Sequence, residues 1–193
     1  EKMATFAVEA AKVAGVRAVV LGGWAALSSE SLPAKGGLRE YAKANVLFYA
    51  GSLPHEWLFP QCAAAVHHGG AGTVAAVLRA GVPSIVTPVF IDQFYWARRV
   101  NIQKVGYGFS EPLLSIKGTE LGEAIKRCVN SEEIKATAAR LGKDLVNSTS
   151  GQLNAADIIT EVARQRMLAL MDAKHPSVAG EGYVQPSTPA PLK

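Results

Sequence analysis

The stretch His67-His68-Gly69-Gly70-Ala71-Gly72-Thr73 concentrates the groups able to do chemistry. An imidazole can donate or accept a hydrogen bond near neutrality. Closely spaced glycines let backbone N–H groups approach a ligand with no side chain in the way. Farther on, Asp92 and Gln93 set a carboxylate acceptor beside an amide that both donates and accepts. Such a pair suits the hydroxyls of a sugar. An anion beside a polyhydroxyl group is the ligand these residues can address together.

The elements that must position them follow from the local pattern. Ala63 to Val66 is a small apolar run that reads as a buried strand ending in His67 and His68. The glycine turn follows, and Thr73 to Ala80 reads as a helix with Val74, Val77 and Leu78 on one face. That helix stops at Gly81, with Pro83 just beyond. Strand, glycine turn and helix N-terminus make an anion site, because the free N–H groups and the positive end of the helix both favour negative charge. The generic pattern is weak, since many glycine turns only pack a helix against a strand. Ser84 to Val89 reads as the next strand and Asp92 to Lys104 as a helix with Asp92 near its start. Asp92 and Gln93 then fall at the carboxyl end of the sheet, where open α/β folds bind ligands.

The rest of the chain repeats the alternation. Glu1 to Ala14 reads as a helix, Val16 to Leu21 and Asn45 to Ala50 as strands, Pro54 to Phe59 as a short helix, and Gly106 to Ser110 as a short strand. Ser28 to Gly37 is a polar loop, and helices are expected at Lys117–Val129, Ser131–Val146 and Leu153–Met171. In the last of these, Ala155, Ile158, Ile159, Val162 and Ala163 form a stripe expected to be core. Strands alternating with helices predict an α/β fold, a Rossmann-like parallel sheet. Residues 1–172 are expected to form the domain and residues 173–193, rich in Pro, Gly and Ser, a disordered tail.

With 193 residues, 49% hydrophobic and 19% charged, the chain can bury one good core. A net charge of +4 is mild, and the basic residues are interleaved with acids, as in Glu120, Glu123, Lys126 and Arg127. That pattern describes a solvated surface and argues against nucleic acid as a partner. Cys62 and Cys128 show no metal-ligand spacing, so free thiols in a reducing compartment are expected. No apolar run approaches a membrane span and no signal peptide opens the chain. Glu1 is already inside a helical pattern, so a fragment of a longer protein or a truncated gene model is expected.

The His-His-Gly-Gly-Ala-Gly-Thr string, with Arg79-Ala80-Gly81-Val82-Pro83 after it and Asp92-Gln93 closing, resembles the UDP-glycosyltransferases. It is most similar to their sterol glucosyltransferase group, and Gly51-Ser52-Leu53-Pro54-His55-Glu56-Trp57-Leu58-Phe59-Pro60 matches the segment that precedes the string there. The resemblance covers Thr5 to Leu168 and implies the C-terminal half of a GT-B glycosyltransferase. In that family a strand ending in a glycine-serine turn precedes the first helix, and this chain lacks it. The resemblance implies a diphosphate on His68 and on the turn of Gly70, Ala71, Gly72 and Thr73, with the Thr73 hydroxyl also capping the helix. It implies the sugar on Asp92 and Gln93, and the nucleobase and ribose near Ser52, Leu53 and His55. His67 is left between packing and binding, and His55 between ligand and the support of Trp57.

The plant branch of the superfamily stacks uracil on a tryptophan and binds ribose with an acidic residue. Here Ser52 lies near the first position and Ala76 occupies the second, so those contacts must come from elsewhere. Trp24 offers a face but reads first as packing, as do Trp57 and Trp96. The implied activity is glucose transfer from UDP-glucose to a sterol or other hydroxyl, inverting and without metal or cofactor. No Asp-x-Asp pair is present to hold a metal. The acceptor site and the general base would belong to an N-terminal domain outside this chain, so the chain alone is expected to be inactive. The expected location is cytoplasmic, with peripheral membrane contact left open. Three other readings remain: the soluble donor subunit of a split N-acetylglucosaminyltransferase, a non-catalytic UDP-sugar-binding module, and a fragment that does not fold alone.

Overall fold

The computed structural model describes residues 2–22, 27–33, 36–148 and 151–174. Trp24 and the expected tail beyond residue 174 lie outside the described residues. Residues Glu1–Asn147 make one compact unit and Ser148–Lys193 a second.

Within the first unit the strands are all parallel, and a helix separates each paired strand from the next. This is the connection that parallel pairing requires. β1 (Ala18–Leu21) pairs with β2 (Val46–Tyr49), Ala18 opposite Val46 and Leu21 opposite Tyr49. β3 (Ala65–His67), β4 (Ser84–Val86) and β5 (Gly106–Gly108) form a second sheet with β4 in the centre. The helices are α1 (Lys2–Ala14), α2 (Leu38–Asn45), α3 (His55–Leu58), α4 (Ala71–Ala80), α5 (Gln93–Ile102), α6 (Gly118–Asn130) and α7 (Glu132–Asn147). The expected α/β parallel architecture is present, divided into two sheets.

β4 shows how the layers arise. Its Ile85 and Val86 are fully buried and point to opposite faces, as successive strand residues must. Ile85 joins Phe109, Ile116 and the α6 residues Leu121, Ala124, Ile125 and Cys128 on one side. Val86 joins Ala97 and Val100 of α5, Val105, and Ala138 of α7 on the other. A strand covered on both faces reads as a continuous apolar run, which is why it was legible. β1 and β2 are covered on one face only: Val46 and Phe48 pack with Ala4 and Val8 of α1, Leu32 and Ala42. Their alternate residues Val19, Leu21, Leu47 and Tyr49 are exposed.

α2 is an addition to the expected elements, and its Leu38, Tyr41, Ala42 and Asn45 have helical spacing. It is only eight residues long. Tertiary contact holds it, the Tyr41 hydroxyl lying 2.6 Å from the carbonyl of Val16 and 2.9 Å from that of Ala11. In the second unit, α8 (Gly151–Lys174) is a single helix. Its expected core stripe is a correction: Ile158, Ile159 and Val162 are exposed, as are Ala155 and Ala163. Periodicity identifies the side of a helix suited to burial, not whether a partner lies within the chain. No described helix is long and apolar enough to cross a membrane.

Candidate functional site

The turn after β3 needs glycine at its first position. Gly69 has φ +94°, and a Cβ there would lie 2.7 Å from Cγ1 of Val86. The chain then enters α4 two residues earlier than the pattern predicts, with Gly70 at the N-cap and Ala71 as the first helical residue. The first helical bond runs from the Val74 N–H to the Gly70 carbonyl, 2.9 Å. That leaves the N–H groups of Ala71, Gly72 and Thr73 without a backbone acceptor, as the first turn of any helix must. Ala71 and Gly72 are exposed and Thr73 is half-buried. No side-chain bond caps α4, so Thr73 does not cap it. Residue pattern carries no φ,ψ information, so it points to Thr73, the first good capping residue, as the helix start.

The two histidines divide their roles. His67 is half-buried; its Nδ1 accepts the Gly69 N–H at 3.1 Å, which puts the proton on Nε2. Nε2 lies 2.9 Å from Oγ of Ser84, a fully buried serine in β4. Both ring nitrogens are thus committed inside the protein. Burial, and then the neighbouring charges of His68 and His55, hold the His67 pKa at about 4. It is neutral near pH 7. His68 is exposed, and its ring lies over Gly70, where an added Cβ would come within 2.6 Å of Nε2. His68 therefore stands beside the free N–H groups, available to a ligand. The role of His67 had one clue in the sequence: Ser84, a polar residue inside an otherwise apolar strand.

The loop after β4 carries Asp92 and Gln93. Gln93 is buried, and its Oε1 accepts the N–H groups of Val89 (2.7 Å) and Phe90 (3.2 Å). The oxygen is used up on the loop, so only the amide NH2 can face outward, and it can only donate. The clamp spans Ile91, whose φ of +52° is unusual for a β-branched residue. Asp92 is the N-cap residue of α5 without a capping bond of its own. Its carboxylate accepts the indole N–H of Trp96 at 3.3 Å, one helical turn on. Trp96 was read as packing, and it also orients this carboxylate.

Ser52 and His55 are exposed beyond the carboxyl end of β2, with Leu53 half-buried between them. His55 stacks on Phe59, ring centroids 4.7 Å apart, rather than supporting Trp57. Trp57, read as packing, is exposed. Ser52, Leu53, His55, His68, Gly70–Thr73, Asp92 and Gln93 all follow the carboxyl ends of parallel strands. Two hollows of about 270 and 260 Å³ lie away from these residues, one along Gly81 and α7 and one between α4 and α5.

The chain is similar to several known proteins. Residues 42–162 match the family described as erythromycin biosynthesis protein CIII-like, C-terminal domain. The chain is 36% identical over 168 residues to a sterol 3-beta-glucosyltransferase of Eremothecium gossypii, covering 86% of this chain and 13% of that protein. It is 37% identical over 166 residues to the enzyme of the same name from Debaryomyces hansenii, covering 84% of this chain and 10% of that one. The crystal structure of glycosyltransferase VinC in complex with DTDP matches with a TM-score of 0.64 at 24% identity, over 84% of this chain and 38% of VinC. The fold is that of the C-terminal, Rossmann-like half of a GT-B glycosyltransferase. The chain spans only 13% and 10% of the length of those two curated relatives.

Proposed function

We propose that this chain, which belongs to the family of erythromycin biosynthesis protein CIII-like C-terminal domains, is the nucleotide-sugar-binding part of a glycosyltransferase whose donor is UDP-glucose. One observation carries the reading: the free N–H groups of Ala71, Gly72 and Thr73 open beside His68 at the end of β3. The names of the relatives support glucose as the sugar and a sterol hydroxyl as the acceptor.

In this reading the diphosphate lies against the first turn of α4. The acceptor oxygen attacks the anomeric carbon from the face opposite the departing UDP, with inversion. Negative charge builds on the bridging oxygen as the bond breaks. Preorganised donors aimed at that charge, three N–H groups and the His68 imidazole, lower the barrier without any metal. Asp92 accepts from one sugar hydroxyl and the Gln93 amide donates to another, while Ser52, Leu53 and His55 face the nucleoside. A second domain supplies the acceptor pocket and the base that takes the hydroxyl proton. A sterol sits in a lipid surface, so the whole enzyme works in peripheral contact with a membrane.

Calorimetric titration tests this. UDP and UDP-glucose bind the chain equally well with and without a chelator of divalent ions, and His68→Ala weakens both by about 1–3 kcal/mol, the worth of a hydrogen bond to a charged group. Binding abolished by the chelator, or unchanged in His68→Ala, contradicts the assignment.

A further inference from the structure

β4 is buried along its whole length, yet one of its three residues is polar. Ser84 is as fully enclosed as its neighbours Ile85 and Val86. A hydroxyl in such a place costs free energy unless it is hydrogen-bonded. Its partner lies on the adjacent strand, where Nε2 of His67 comes within 2.9 Å of Ser84 Oγ. Nδ1 of the same ring already accepts the Gly69 N–H, so Nε2 is the donor and the serine oxygen the acceptor. Ser84 and Val86 are two residues apart and share one face of the strand. Val86 is the residue that leaves no room for a Cβ at Gly69. One face of β4 thus fixes the glycine turn twice, through the Val86 methyl and through the ring that Ser84 holds.

The backbone of His67 needs no such help, since its carbonyl accepts the Thr87 N–H at 2.9 Å. That bond sets the strand and leaves the imidazole free to rotate about its own side-chain torsions. Among the described residues the ring's hydrogen bonds run to Gly69 and Ser84. Gly69 stands two residues before Ala71, the first residue of α4. A shift of Gly69 therefore carries with it the N–H groups of Ala71, Gly72 and Thr73.

We propose that Ser84 is a positioning residue for the diphosphate: its buried hydroxyl holds the His67 ring in the orientation that offers Nδ1 to Gly69, and so keeps the first turn of α4 aimed at the ligand. This role rests on the diphosphate reading above and adds to it a residue that touches no ligand. Without the hydroxyl, the Nε2 proton has no acceptor in a buried place, a cost the ring escapes by turning or by moving its proton to Nδ1. Either change takes the acceptor away from the Gly69 N–H and loosens the turn. Threonine at position 84 keeps the oxygen, and a β-branched residue suits a strand. Alanine keeps the strand and loses the oxygen.

Nitrogen NMR of the His67 ring, joined to calorimetric titration with UDP and with uridine, tests this on the parent chain, Ser84→Ala and Ser84→Thr. Without ligand, the parent and Ser84→Thr should show Nε2 protonated and Nδ1 bare. In Ser84→Ala the two nitrogens should average between tautomers, and the Gly69 amide resonance should move. UDP affinity should fall about fivefold or more in Ser84→Ala, the effect of stranding a buried donor, and return to near the parent value in Ser84→Thr. Uridine affinity should be the same in all three, which a general loss of structure would not allow. If Ser84→Ala does not fold, Ser84→Cys, close in size and a weak acceptor, takes its place. Four results overturn the role: Nδ1 protonated in the parent, UDP affinity unchanged in Ser84→Ala, UDP and uridine weakened alike, or a His67 ring that exchanges Ser84 for the ligand when UDP binds. A parent that binds no UDP while its ring nitrogens are as described removes the donor reading and this role with it, and leaves the bond between Ser84 and His67 standing.

Discussion

His67 is the residue on which the glycine turn rests, and pH exposes its role. In the folded protein its pKa is held at about 4, against an ordinary value of 6.5. The unfolded chain therefore takes up a proton below pH 6.5 that the folded protein refuses until about pH 4. Stability from this group is intact above pH 6.5 and is lost as pH falls toward 4, on the order of 3 kcal/mol. Urea denaturation at a series of pH values should show that loss in the parent and its absence in His67→Gln. Gly69→Ala should cost about 1–3 kcal/mol at every pH, because it combines a left-handed φ with a clash on Val86. Asp92→Ala, made in a full-length enzyme, should lower glucose transfer by about 1–3 kcal/mol while leaving UDP affinity near that of the parent. Equal losses in both would move Asp92 away from the sugar. Gln93→Ala should do more, since it also frees the Val89–Ile91 loop. The residue types were legible in the sequence, but their division of labour was not. Nothing in the string His67-His68 says that one ring is locked to Ser84 while the other lies open over Gly70.

At the scale of elements, α4 and β4 were read within two or three residues because each obeys one dominant rule. A glycine turn starts and Gly81 ends the helix, and burial on both faces makes the strand apolar throughout. α2 is not legible because eight residues give a weak periodic signal and its stability comes from the Tyr41 hydroxyl donating to Ala11 in the last turn of α1 and to Val16 just beyond it. α8 is legible as a helix, but its apolar stripe is exposed among the described residues rather than core. Deleting residues 148–193 should therefore leave the thermal transition of the first unit within a few degrees of the parent. A collapse of that transition would mean that α8 supports the sheet.

In the proposed reading the first unit holds the donor at the carboxyl ends of its parallel strands, and another domain supplies the acceptor pocket and the base. The isolated chain should accordingly form no sterol glucoside from labelled UDP-glucose and ergosterol, because positioning and proton transfer together are worth many orders of magnitude in rate. Robust product would place the acceptor site within these residues. The central claim, that the first turn of α4 holds a diphosphate, is tested most directly by following backbone amide resonances during titration with UDP and, separately, with uridine. The account predicts that Ala71, Gly72 and Thr73 shift strongly with UDP and hardly at all with uridine, in chelator as in plain buffer. UDP binding that leaves those amides unmoved, or uridine shifting them as much as UDP, would contradict it.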